Sequence, residues 1–90
     1  MELTKEEHRG READALLANP LFVEAFETIE REIEQAWKDS PARDEAGREK
    51  LWLMLQMLAR VKRHVQSVSL TGQMARKTLR ERLGRNVSPI

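Results

Sequence analysis

Between Leu51 and Val68 the chain reads LWLMLQMLARVKRHVQSV, and Leu51, Met54, Leu58, Val61, Val65 and Val68 recur at alternating steps of three and four. That spacing is the seam of an α-helix; a strand would alternate every second residue, and this stretch does not. A second seam precedes it, formed by Phe22, Phe26, Ile29, Ile33 and then Ala36 or Trp37. The spacing predicts two helices, about 20–39 and 45–70 or longer, facing one another as an antiparallel hairpin. The expected fold class is all-α, with a shorter N-terminal helix over about 5–18 in front of the hairpin.

Local signals set the boundaries. Thr4 followed by Glu7 fits a capping box that would start the first helix near Lys5. Gly10 in its interior costs about 1 kcal/mol relative to Ala, so a frayed or partner-dependent start is expected. Asn19-Pro20 is a good cap followed by the residue that best tolerates the first helical position. Residues 39–44, DSPARD, make a loop of usual length between antiparallel helices, with Asp44 as the cap of the third helix. That helix has a weak stretch at Ser67–Gly72, SVSLTG, where poor propensity predicts either a soft continuous helix or a break near Leu70. The tail, 86–90, is expected to be disordered, and the whole chain to form a single helical domain.

The hairpin leaves apolar surface over. If the third helix runs to Leu83 it spans roughly 58 Å against roughly 30 Å for the second, so it must overhang its partner. Met74, Ala75, Leu79 and Leu83 lie on the overhang, where the first helix or a second copy of the chain would have to cover them. Trp52, Leu53, Leu55 and Met57 lie outside the seam and widen the apolar surface past one stripe. Self-association, most simply of two hairpins into four helices, is therefore expected, with Trp52, Leu55, Met57, Met74 and Leu79 as its candidate residues. Trp37 and Trp52 are read as core plugs near the closed end of the hairpin.

Composition narrows the class further. Ninety residues with 40% hydrophobic, 34% charged and only 4% aromatic side chains suit a helical protein that buries a modest core. The absence of Cys excludes a disulfide framework and a thiolate site in these residues. The charged N-terminus does not resemble a cleaved signal, and the longest apolar run, Leu51–Leu55, is far short of the ~20 residues a membrane span needs. The net charge of +1 hides an asymmetry. Residues 1–59 hold 14 acidic and 8 basic side chains, a balance of −6, while residues 60–90 hold 8 basic against Glu81, a balance of +7.

Catalytic chemistry finds no foothold. His8 and His64 stand apart from any HExxH or Glu-x-x-His pair, so no metal or other cofactor is expected. Glu24, Glu27, Glu30, Glu32 and Glu34 make the second helix acidic, and Glu24 and Glu27 are read as facing Arg60, Lys62 and Arg63 across the hairpin. Ser40, Ser67, Ser69 and Ser88 lack a nucleophile-elbow context, and no glycine-rich phosphate loop occurs. The expectation is a binding protein and not an enzyme. Arg76, Lys77, Arg80 and Arg82 are its candidate contacts, for an acidic protein surface or, alternatively, for nucleic-acid phosphates. Without interleaved aromatics or a helix-turn-helix arrangement, protein contact is the favoured reading.

The stretches LLANPLFVEAFETIEREIEQAW, DEAGREKLWLMLQML and HVQSVSLTGQMARKTL resemble small uncharacterised helical proteins of tailed bacteriophages and prophages, encoded near packaging and virion genes. The resemblance covers most of residues 10–80 and is carried by Asn19-Pro20-Leu21-Phe22, Gly47-Arg48-Glu49-Lys50-Leu51-Trp52 and Thr71-Gly72. It implies a virion or assembly role in the host cytoplasm or in the particle. The partner it implies is another phage protein, beside the further copies of the chain expected from the apolar surface; the short apolar run predicts no membrane partner. The alternatives are a DNA-associated packaging factor and an inhibitor of a host factor.

Overall fold

The computed structural model describes residues 2–86, and over them the chain is all-α. Three helices follow one another: α1 (Glu2–Ala18), α2 (Pro20–Asp39) and α3 (Glu45–Asn86). Asn86 closes α3, and the rest of the expected tail, 87–90, lies outside the described residues. Two compact units share this chain. One consists of α1 with α3 from His64 onward; the other is Ala18–Arg63, the α2–α3 hairpin.

In the hairpin unit the punctuation acts as the sequence indicates. Asn19 caps α2: its Oδ1 accepts from the backbone N–H of Leu21 at 2.8 Å and of Phe22 at 3.2 Å. Pro20 takes the first helical position, where its missing N–H leaves no partner wanting. Asp44 caps α3, its Oδ1 accepting from the Gly47 N–H at 3.1 Å. Phe26 and Ile33 are buried, and Phe22 packs on Phe26 with ring centroids 4.7 Å apart. Across from them Leu51, Leu55 and Leu58 are half-buried.

That set corrects the expected seam. Met54 and Val61 are 53% and 52% exposed, whereas Leu55, which the spacing put outside, faces in. Both phases, 51–54–58 and 51–55–58, are apolar in sequence, and the position of α2 selects the second. The same rotation turns Trp52 out, since the residue after Leu51 lies roughly 100° further round the helix. Trp52 is 55% exposed and Trp37 44%, so neither is a core plug.

Trp37 sits under Arg48 instead, whose guanidinium carbon lies 3.5 Å from the ring centroid. Arg48 Nη1 also donates to the Trp37 carbonyl at 3.2 Å and to Ser40 Oγ at 2.8 Å. One side chain thus ties the end of α2 to the start of α3. The expected charge pairing along the hairpin does not form: among the described residues no ion pair joins Glu24 or Glu27 to Arg60, Lys62 or Arg63. Glu24 and Glu27 are exposed, and solvent screening leaves such pairs little to gain.

In the other unit α1 begins at Glu2, so Thr4 lies inside the helix and does not cap it. Glu7 pairs forward with Arg11, one turn on, and does not reach back to Thr4. Leu3 is half-buried, which draws the residues ahead of Thr4 into the helix. The centre of the unit is a crossing of two glycines. A Cβ built on Gly10 would stand 2.5 Å from the Gly72 Cα, and one built on Gly72 would stand 2.5 Å from the Gly10 Cα and 3.1 Å from the Glu6 carbonyl oxygen.

Ala13 and Ala75 flank the crossing, 6% and 2% exposed, and buried Ser69 donates its hydroxyl proton to the Asp14 carboxylate. Asp14 beside Ser69 and Gly10 beside Gly72 fix an antiparallel course. Seven residues to either side of the glycines, that register sets Leu3 level with Leu79 and Leu17 level with Val65, all four half-buried. The weak stretch at Ser67–Gly72 accordingly carries no break: α3 runs through it unbroken, because the small residues that lower its propensity admit α1.

Candidate interaction surfaces

The hairpin unit exposes an apolar face. Ile29, Leu53, Met54, Met57 and Val61, 42–57% exposed, surround a shallow groove of about 460 Å3 whose floor is Ile33 and Leu58. The face exists because α3 carries apolar side chains in two helical phases and α2 covers only one. Two methionines in it give a flexible, polarizable lining that suits protein contact.

The sequence-derived candidates for self-association divide around it. Met57 lies on the face. Trp52 is exposed but stands about 140° from Met57 around α3, off the groove. Leu55 is half-buried in the hairpin core, and Leu79 is half-buried in the α1 unit, where Met74 is 64% exposed. Ile29, Met54 and Val61 belong to the face although the periodicity assigns them to the seam. The signal for them is the doubled apolar phase itself.

The basic candidates belong to the α1 unit. Arg76, Lys77, Arg80 and Arg82 are exposed on α3. Arg76 and Arg80, one turn apart, line a polar recess with Asp14 and Gln73. Behind it Gln73 Nε2 donates to Ser69 Oγ at 3.4 Å, extending the bond from Ser69 to Asp14. Lys77 lies roughly 100° from Arg76 around the helix and Arg82 roughly 120° to the other side. The four therefore form a collar of positive charge, in which Arg80 lies one turn from both Arg76 and Lys77.

Among the described residues no three His, Asp or Glu side chains gather in a metal-binding group, and no helix is long and apolar enough to cross a membrane. No protein-family model, no curated protein and no solved structure matches the chain.

Proposed function

We propose that this chain is a non-enzymatic assembly protein of the tailed-bacteriophage type. It self-associates through the apolar face of the hairpin and docks on an acidic surface of another phage protein through Arg76, Lys77, Arg80 and Arg82. The observation that carries the reading is the face of Ile29, Leu53, Met54, Met57 and Val61, five large side chains left in water beside a core that buries only Phe26 and Ile33 well. Scattered exposed apolar residues are ordinary; a contiguous set around one groove marks a contact surface. The collar of arginines and lysine gives the second surface its sign, and the phage resemblance gives the class of partner.

Light scattering behind size exclusion, at low and high salt, tests the first half. A salt-resistant oligomer is expected, and Met57→Lys lowers its mass while leaving helix content unchanged. A monomeric wild-type chain at high concentration would falsify self-association. The DNA reading is tested in the same runs with nonspecific duplex. Binding that fades as salt rises and is lost on changing Arg76, Lys77, Arg80 and Arg82 to Glu would make nucleic acid the partner of the collar.

A further inference from the structure

The apolar face is uneven in a way that names its occupant. On α2 the flank beside the groove is Ala25, Ile29, Glu32 and Ala36, spaced by four, three and four and all exposed. On α3 the flank is Lys50, Met54, Met57 and Val61, at the same spacing and also exposed. The α2 flank is low at its two alanines and carries a carboxylate; the α3 flank stands high at its two methionines and carries an ammonium. Neither Glu32 nor Lys50 has an ion-pair partner among the described residues.

Two apolar flanks of opposite charge, side by side, complement a copy of themselves turned about a two-fold axis along the helices. The heights agree as well. The Arg48–Trp37 contact fixes the register of the hairpin. Counting away from it along both helices sets Ala36 level with Lys50, Glu32 with Met54, Ile29 with Met57 and Ala25 with Val61, to within a residue. A two-fold axis parallel to the helices keeps those heights. Met57 then meets Ile29, Val61 meets Ala25 and the Lys50 stem meets Ala36 of the second copy, and Glu32 comes within one helical turn, about 6 Å along the axis, of Lys50 in that copy.

We infer that the occupant of this face is a second copy of the chain, with α2 of each lying antiparallel on α3 of the other as a four-helix arrangement. The inference rests on the self-associating reading above and specifies which helix meets which. The competing symmetric packing lays α3 on α3 about Met57, bringing that residue against itself.

Because the chain has no cysteine, introduced thiols report the pairing without background. Ala25→Cys mixed with Val61→Cys is expected to form a mixed disulfide dimer under mild oxidation, faster than either variant alone. Met57→Cys is expected to cross-link slowly. In parallel, Glu32→Lys and Lys50→Glu each weaken the dimer about two- to fivefold at low salt, and the double exchange restores it. Rapid Met57→Cys dimers, no mixed product, or a double exchange that restores nothing overturns this pairing while leaving an oligomer in place. A monomeric wild-type chain overturns self-association and the pairing together.

Discussion

Where α1 meets α3 the contact is made by Gly10, Ala13, Gly72 and Ala75, whereas α2 meets its own stretch of α3 through Phe22, Phe26, Ile33, Leu51, Leu55 and Leu58. Glycines let two backbones approach until helix touches helix, and the gain is close van der Waals packing over little apolar area. Large side chains hold the axes apart and gain by removing area from water. The two units therefore fail in opposite ways, one when atoms are added and the other when atoms are removed. They also differ in what they leave over, since the wider contact along α2 is the one with an uncovered flank.

The largest effect is expected from removing atoms in the hairpin. Ile33→Ala, at a position 6% exposed, should cost about 3 kcal/mol in urea unfolding. Adding one methyl at the crossing should act on the other unit: Gly72→Ala puts a Cβ 2.5 Å from the Gly10 backbone, an overpacking of about 1–3 kcal/mol set against about 1 kcal/mol of improved helix propensity. Hydrogen exchange should then rise along α1 while the hairpin stays protected. Were Gly72→Ala to stabilise the protein, the close crossing would be disproved. Asn19→Ala, which leaves the Leu21 and Phe22 N–H groups without their acceptor, should cost about 1 kcal/mol and fray only the start of α2. Arg48→Lys should cost least, about 0.5–1 kcal/mol, because an ammonium covers the Trp37 ring less well than a planar guanidinium does. Its readout is a shift in tryptophan emission.

How much of this was legible in the sequence follows from the same contrast. Asn19-Pro20 and Asp44 act through their own neighbours, and α2, its caps and the hairpin can be read from those residues directly. The phase of α3 cannot, because Met54 and Leu55 are both apolar and only the docked α2 distinguishes them. In the sequence the glycines look like defects, since propensity counts what Gly10 and Gly72 cost within each helix and takes no account of a helix sixty residues away in sequence. For the interaction surfaces the doubled apolar phase was visible as an excess, and its division into a buried and an exposed half was not.

The crossing also sets an order of events in synthesis. Gly10 is translated 62 residues ahead of Gly72, so α1 is complete long before the surface it packs on exists. The hairpin can close over a short loop, while α1, thin in apolar residues, finds its partners, Val65 to Leu79, only in the second half of α3. The first of these three helices to be made is the last to gain its contacts, and it is the Gly10 backbone that then shields Gly72, which has no side chain of its own to do so.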